Sequence, residues 1–142
     1  MTATIRVLGP GDAAVLDRIA NDVFDDEIRP ESLQEFLADP RHHLAVAVEK
    51  GRVIGFASAV DYVHPDKPRE LWINEVGVAP SYRRRGLAAR LLQALFQIAR
   101  ERGCGEAWVL TERGNRAATQ LYRHLAGERM AEDTIGFTFR LN

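Results

Sequence analysis

The chain has 142 residues, of which 46% are hydrophobic and 27% are charged, and its formal net charge is −1. This length suits one compact domain with one core and excludes a second full domain. No apolar run reaches the roughly 18–20 residues that cross a bilayer, and the first residues lack the apolar stretch of a secretory signal, so we expect a cytoplasmic protein with no membrane partner. The single cysteine, Cys104, excludes an internal disulfide and a cysteine-based metal cluster.

The charges are segregated along the chain. Residues 12–39 carry nine acidic and two basic residues, a net charge of −7, whereas residues 81–130 carry ten arginines and four acidic residues, a net charge of +6. The acidic part suits a polycation and the basic part suits a polyanion. Arginine outnumbers lysine seventeen to two; its planar guanidinium binds phosphate oxygens in pairs, although a GC-rich genome would also favour arginine.

Apolar periodicity predicts the elements of the first half of the chain. They are a strand at Ile5–Leu8, a helix whose buried face is Val15, Leu16, Ile19 and Val23, a second helix after Pro30, and a hairpin of strands Leu44–Val48 and Val53–Val60. Asp12 is the predicted N-cap of the first helix, and Ser32 and Glu35 have capping-box spacing in the second. A polar loop is predicted over Asp61–Arg69.

The second half of the chain alternates strands with helices. The predicted elements are a strand at Leu71–Val78, a long helix that begins at Leu87, a strand at Ala107–Leu110, a helix at Asn115–Leu125 and a closing strand at Gly136–Leu141. The pattern predicts a single mixed α/β domain over residues 1–142, with no repeat or linker.

The turn between the strand at Leu71–Val78 and the long helix has the composition of a phosphate site. Its first three residues are basic, and they are followed by a stretch with two small residues, Gly86 and Ala88. The sequence of the turn is Arg83, Arg84, Arg85, Gly86, Leu87, Ala88. The first amides of a helix have no internal partner and carry partial positive charge, and Gly86 and Ala88 let the backbone approach a pyrophosphate closely. The turn is neither a Walker motif nor a dinucleotide-binding glycine motif.

The order and spacing of these motifs resemble the GCN5-related N-acetyltransferase (GNAT) superfamily. The turn is preceded by Asn74-Glu75-Val76-Gly77-Val78 and followed, one helix and one strand later, by Asn115-x-x-Ala118-x-x-Leu121-Tyr122. The resemblance implies a mostly antiparallel sheet splayed between two parallel strands and flanked by about four helices. It also implies that acetyl-CoA binds with its pyrophosphate on residues 83–88, where Ala88 replaces the commoner glycine, with its pantetheine along Val76, Gly77 and Val78, and with further contacts from Asn115, Ala118 and Tyr122.

The flanking residues are similar to the gentamicin (aminoglycoside) 3-N-acetyltransferase branch of that superfamily. The similarity rests on Val23-Phe24-Asp25-Asp26, Phe36-Leu37, Tyr62-Val63-x-Pro65, Pro68-Arg69, Ile73-x-Glu75 and Leu121-Tyr122. The branch usually has an aspartate where this chain has Glu75 and an acidic residue where it has Asn115. The resemblance implies antibiotic resistance through acetylation of a polycationic aminoglycoside.

Two residues are the candidate catalytic groups. Glu75 lies in an apolar strand beside the basic turn, where partial desolvation would raise its pKa and suit it to take a proton from an ammonium. The alternative is an outward-facing glutamate or one paired with an arginine. In the resemblance Tyr122 protonates the CoA thiolate; the alternative is a packing tyrosine, just as Asn115 also suits the N-cap of its helix.

Acidic residues are the candidate acceptor ligands. Asp25, Asp26 and Glu27 follow the first helix, a segment that forms part of the acceptor site in the superfamily that the chain resembles, and the resemblance places Glu112, after the fifth strand, near the same cleft. Together with Glu75 they would bind amines, although each alone also suits a solvated loop. The four histidines show no metal-ligand spacing, so no metal is expected, although His64 could line the acceptor site.

The sequence therefore predicts an acetyl-CoA-dependent N-acetyltransferase that acts on a polycationic amine, with an aminoglycoside as first choice. The enzyme alternative acts on another small amine or on a peptide amine. The non-enzyme alternative is a nucleic-acid or regulatory module that uses Arg83–Arg85; the absence of interleaved aromatic residues and the net charge of −1 argue against it, and no nucleic acid is expected as a partner. The family resemblance is the ground for expecting a homodimer.

Overall fold

The computed structural model describes residues 2–131 and 133–142, and its contacts divide the chain into two compact units, one ending at Leu110 and the other beginning at Thr111. The elements of the first unit are β1 (Thr4–Leu8), a 3₁₀ helix (Ala13–Asp17), α1 (Pro30–Ala38), β2 (His42–Glu49), β3 (Arg52–Tyr62), β4 (Glu70–Val78), a second 3₁₀ helix (Pro80–Tyr82), α2 (Leu87–Glu101) and β5 (Glu106–Val109). The second unit contains α3 (Arg116–His124). A single domain over residues 1–142 stays a prediction.

The first unit is built on a five-stranded mixed sheet in the order β1-β2-β3-β4-β5. Neighbouring strands are antiparallel except for β4 and β5, which are parallel. This confirms the expected sheet, with three α-helices in the described residues rather than about four. α2 packs on β2, β3 and β4, and its Leu91, Leu92 and Leu95 are completely buried. Each such leucine contributes about 1.5–3 kcal/mol of hydrophobic free energy.

The predicted first helix is wrong beyond its first turn. Only Ala13–Asp17 is helical, as a 3₁₀ helix, and Arg18 is extended. The Val53 amide donates to the Arg18 carbonyl and the Ala20 amide donates to the Val53 carbonyl, so this segment pairs with the start of β3 instead of closing helical hydrogen bonds. Asp12 is the N-cap residue of the 3₁₀ helix, as predicted, but its carboxylate accepts from the Gly9 amide and makes no side-chain capping hydrogen bond.

Three other boundaries differ from the predictions. α1 begins at Pro30 with Arg29 as its N-cap, so Ser32 and Glu35 do not form a capping box. β3 continues to Tyr62, which moves Asp61 from the predicted loop into the sheet. The closing strand at Gly136–Leu141 is absent, because these residues have no strand partner among the described residues and the side chain of Phe137 is 77% exposed.

A buried ionic cluster joins β2, β3, the segment before β4 and the end of α2. The Asp61 carboxylate is completely buried and accepts from Arg69 Nη1 at 2.6 Å and from Arg102 Nε and Nη2 at 2.9 and 3.1 Å, and it lies 2.6 Å from His43 Nε2. Desolvation raises the pKa of Asp61, but the hydrogen bonds from Arg102, His43 and Arg69 outweigh it and lower this pKa to about 2. The cluster therefore fixes the end of β3 relative to α2.

None of the helices in the described part of the chain has the length and the apolar character needed to cross a membrane.

Candidate active site

A cleft of about 410 Å³ lies in the first unit. It is on the face of the sheet opposite to α2, because Phe56 and Ser58 line the cleft whereas Gly55 faces Leu91 of α2. Its walls come from residues 24–29, from the start of α1 and from the side chains of β2, β3 and β4. The lining residues that carry charge or an aromatic ring are Phe24, Asp25, Asp26, Glu27, Arg29, Phe36, Phe56 and Glu75. Four of the five predicted acceptor ligands, Asp25, Asp26, Glu27 and Glu75, thus line one cleft.

Glu75 lies on β4 at the wall of this cleft, opposite Ser58 of β3 in the strand register. Partial burial raises the pKa of Glu75, and the negative charges of Asp25 and Asp26 raise it further. Each effect disfavours the ionised carboxylate. The predicted direction of the shift agrees with the structure, and the added contribution of the two aspartates comes from the tertiary fold.

The aromatic side of the cleft was not predicted as part of a site. The rings of Phe24 and Phe56 stack with their centroids 4.0 Å apart, and the Ser58 side chain is buried beside them. Phe56 and Ser58 alternate along β3, so the strand period shows that they share a face. The alternation of side chains along β3 could not predict which face of the sheet the loop of residues 21–29 covers.

The loop approaches the sheet closely at Gly77. A Cβ atom on Gly77 would lie 2.5 Å from the Val23 carbonyl oxygen and 2.9 Å from Phe56 Cε1. Glycine is therefore required at this position for packing, whether or not it also contacts a cofactor.

The second half of β4 has a free edge. β5 pairs with β4 only over Glu70–Ile73, so residues 74–78 have β3 as their strand neighbour in the described part of the sheet. The register shifts by one residue at Asn74, which lies between the pairs Ser58–Glu75 and Ala59–Ile73. Val76, Gly77 and Val78, the predicted pantetheine contacts, lie in this half of the strand, whose outer edge has no strand partner among the described residues and suits an extended ligand.

The basic turn precedes α2 as predicted. Gly86 is the N-cap of α2 and has φ of 75°, a left-handed conformation that favours glycine. No atom lies within 4 Å of the position where its Cβ would be. The N-cap offers no side-chain acceptor, so the first-turn amides that include Leu87 and Ala88 remain free to bind an anion.

The three arginines of the turn are exposed. Arg83 Nε donates to the Val78 carbonyl at 3.2 Å, which ties the turn to the end of β4. The Arg85 guanidinium lies over the ring of Tyr82 at 4.8 Å and 3.4 Å from Glu49 Oε1. Residues 83–88 therefore meet the requirements of a pyrophosphate site: positive charge, free amides and space for close approach.

The second unit carries the remaining predicted site residues. The Asn115 side chain accepts from the Ala118 amide at 3.0 Å, which confirms that Asn115 caps α3. Tyr122 lies on α3, and burial raises the pKa of its hydroxyl, which keeps it protonated at neutral pH. Glu112 is exposed in the segment before α3. The cofactor contacts of Asn115, Ala118 and Tyr122 and the acceptor contact of Glu112 stay predictions.

His64 does not line the cleft; its Nε2 lies 3.2 Å from Glu70 Oε2. Within residues 2–131 and 133–142, no cluster of three or more histidine, cysteine or carboxylate side chains is arranged to hold a metal ion.

The family model described as "Acetyltransferase (GNAT) family" matches residues 14–127. Among curated proteins, the chain is 30% identical to the N-alpha-acetyltransferase RimI of Mycobacterium tuberculosis, over 89% of this chain and 79% of that protein. It is 34% identical to the L-2,4-diaminobutyric acid acetyltransferase of Marinococcus halophilus, over 74% of this chain and 58% of that protein.

Solved structures show the same fold. An aminoglycoside acetyltransferase from an uncultured soil metagenomic sample, in complex with sisomicin, has a TM-score of 0.82 at 19% identity, over 99% of this chain and 97% of that chain. The aminoglycoside N-acetyltransferase AAC(6')-Iy, in complex with a bisubstrate analogue, has a TM-score of 0.78 at 24% identity, over 99% of both chains.

Proposed function

The chain belongs to the acetyltransferase (GNAT) family and is an N-acetyltransferase, and we propose that its acceptor is a small polycationic amine, with an aminoglycoside as first choice. The observation that carries the proposal is the convergence of Asp25, Asp26, Glu27 and Glu75 on one cleft. The four carboxylates are exposed, and an exposed carboxylate–ammonium contact contributes about 0.2–1 kcal/mol. A molecule with several amines makes several such contacts at once and would therefore bind more tightly than one with a single amine.

The free edge of β4 and the turn at residues 83–88 support acetyl-CoA as the acetyl donor. The arginines and the first amides of α2 would hold its pyrophosphate, and the backbone of Val76–Val78 would hold its pantetheine. Acetyl-CoA, when bound, supplies the acetyl thioester that the acceptor nitrogen attacks.

Glu75 is the proposed general base. Its raised pKa brings it closer to the pH at which it works, and it lies in the same cleft as the proposed ammonium-binding acids. A backbone amide near Val76 is the proposed donor to the oxyanion. Tyr122 is the proposed donor of a proton to the departing sulfur, and this role rests on the family resemblance.

The aminoglycoside choice draws support from structural neighbours that are named as aminoglycoside acetyltransferases, one of them bound to sisomicin. The 3-N position rests on the branch resemblance of the flanking residues. The identity to diaminobutyric acid acetyltransferases and to RimI supports a second candidate, a smaller diamine or a peptide amine.

We also propose that residues 1–142 act as one catalytic domain and that this domain assembles as a homodimer. Light scattering would test the assembly.

A panel of acceptors separates these candidates. Acetylation of gentamicin, spermidine, diaminobutyrate and a peptide amine is followed by thiol release from acetyl-CoA at low and high salt. We expect gentamicin to have the highest kcat/KM and its KM to rise with salt, because screening weakens exposed charge contacts. Asp26→Asn should raise the KM for polyamines, whereas Asp66→Asn, which removes an exposed loop acid, should not. Preference for the peptide amine without a salt effect would contradict the aminoglycoside proposal.

A further inference from the structure

We infer that the acceptor site extends beyond the cleft, along β4, to a second subsite formed by Trp72, Trp108 and Glu70 that binds a distal ammonium of the acceptor. This inference rests on the proposed polycationic acceptor. The residues of the subsite would select acceptors by the distance between their amines. The subsite lies entirely within the first unit.

The strand register places the subsite and the cleft on one face of the sheet. Residues that pair across strands share a face, as do residues two apart along a strand. Three successive rows of paired side chains lie on this face. The first row contains Ser58 and Glu75, and the second contains Trp72 and Trp108. The third row contains Tyr62 and Glu70. The first row is the wall of the cleft, so the tryptophans directly continue the surface on which the acceptor is proposed to bind.

The side chains of the subsite are held by one another. The indole rings of Trp72 and Trp108 stack with centroids 5.7 Å apart. The Tyr62 hydroxyl accepts from Trp108 Nε1 and donates to Glu70 Oε1, and Glu70 Oε2 lies 3.2 Å from His64 Nε2. Both tryptophans remain partly exposed, and 21% of the Glu70 side chain is accessible. The result is a fixed aromatic surface with a carboxylate at its end.

This chemistry suits a cation with apolar or ring-shaped surroundings. The faces of indole rings attract ammonium groups, and a nearby carboxylate adds charge. Glu106, the register partner of Glu70, is an exposed second acid on the same face. Like charges on paired positions repel each other, so a bound cation would be stabilising there.

The spacing sets the length of the preferred acceptor. β4 has one extra residue at the register shift, so the distances are read along β3, where the partners of Trp72 and Glu70 lie two and four residues from Ser58, the partner of Glu75. At about 3.3 Å per residue these separations correspond to about 7 and 13 Å. When one amine of the acceptor lies at the reacting position beside Glu75, a second amine would reach the subsite if the two nitrogens lie roughly 7–13 Å apart. Propanediamine is too short to reach and dodecanediamine is long enough.

The test compares these two linear diamines with variants of the subsite. The selectivity ratio is kcat/KM for dodecanediamine divided by kcat/KM for propanediamine. Glu70→Gln and Trp72→Ala should each lower this ratio about fivefold. Asp66→Asn removes the same charge as Glu70→Gln from an exposed loop and should leave the ratio unchanged. A ratio that is unchanged in Glu70→Gln and in Trp72→Ala would overturn the inference.

A second readout does not depend on turnover. Trp72 and Trp108 are the only two tryptophans of the chain, so tryptophan emission reports on the subsite directly. Dodecanediamine should change the emission of the parent protein at lower concentration than propanediamine, and Glu70→Gln should remove that difference. Absence of any emission change would overturn the inference even if the diamines are acetylated. An emission change without acetylation of any polyamine would instead contradict the proposed function and leave the cation subsite supported.

Discussion

Gly77 and Phe56 face each other across β3 and β4, and the ring of Phe56 fills the space that a side chain on Gly77 would need. The same glycine lies under the Val23 carbonyl, at the start of the loop that carries the cleft acids. One small residue on β4 thus determines how closely the acidic loop approaches this strand.

Gly77→Ala should displace this loop. Overpacking of this kind costs about 1–3 kcal/mol of stability, and we expect the KM for polyamine acceptors to rise several-fold because Asp25 and Asp26 move relative to Glu75. Urea unfolding and acceptor kinetics measure the two effects. Gly9→Ala is the control, since nothing lies within 4 Å of its Cβ position. Unchanged acceptor KM in Gly77→Ala would show that the loop is not positioned through this contact.

Glu75→Gln should lower kcat by about 100-fold for every acceptor, because glutamine cannot take a proton. Its circular dichroism spectrum and its affinity for acetyl-CoA should stay at the parent values. A loss of less than about threefold would mean that Glu75 is not the base.

The acid limb of the pH profile should depend on the neighbours of Glu75. Activity rises with pH as Glu75 loses its proton, and the charges of Asp25 and Asp26 raise the pKa of Glu75. Asp25→Asn or Asp26→Asn should therefore move the acid limb of kcat/KM to lower pH. Glu27→Gln removes a charge from the same cleft but from a residue that does not shift this pKa, so its acid limb should stay in place. A limb that moves equally in all three variants would reflect overall charge instead.

Gly86→Asp should abolish binding of acetyl-CoA, measured by calorimetry, because a carboxylate would crowd the amides that receive the pyrophosphate. Gly103→Asp is a matched control: Gly103 also has a positive φ, 79°, with nothing within 4 Å of its Cβ position, but it lies beyond the other end of α2. Both variants carry the same backbone strain. Equal affinity for acetyl-CoA in the two variants would contradict the assignment of residues 83–88 as the pyrophosphate site.

Tyr122→Phe should lower turnover more than it weakens acetyl-CoA binding, because the ring remains and the hydroxyl is lost. If kcat stays within about twofold of the parent value between pH 6 and 9, Tyr122 is a packing residue.

Asp61→Asn tests the buried ionic cluster. Because the pKa of Asp61 falls from 3.8 to about 2 on folding, the ionised carboxylate contributes stability of about 2 kcal/mol. This contribution is present above pH 4 and is lost as the pH falls towards 2. The variant should have a much lower urea midpoint than the parent at neutral pH. Its stability should also fall less than that of the parent between pH 4 and pH 2. Asp39→Asn, which breaks a surface pair with Arg41, should leave the midpoint nearly unchanged.

The local pattern of the sequence was sufficient for the elements whose stability is local or strongly periodic. α2 has its leucines at helical spacing, the β2–β3 hairpin has its glycine at the turn, and Asn115 caps α3 through its own side chain. The turn at residues 83–88 could also be predicted. Its charge comes from the three arginines, and its first amides lack partners because they lie at the start of a helix.

The rest was decided by contacts between distant segments. Residues 18–20 leave their helical periodicity because Val53 offers backbone hydrogen bonds, and Asp61 is buried because His43, Arg69 and Arg102 converge on it. The pKa of Glu75 depends on acids about fifty residues earlier in the chain. The amino-acid sequence by itself determined which groups are present: an acidic segment, a glutamate in an apolar strand and a basic turn before a helix. The tertiary structure decided which groups share a cleft, because burial and charge interactions act over a few ångströms in space and leave no fixed spacing along the chain.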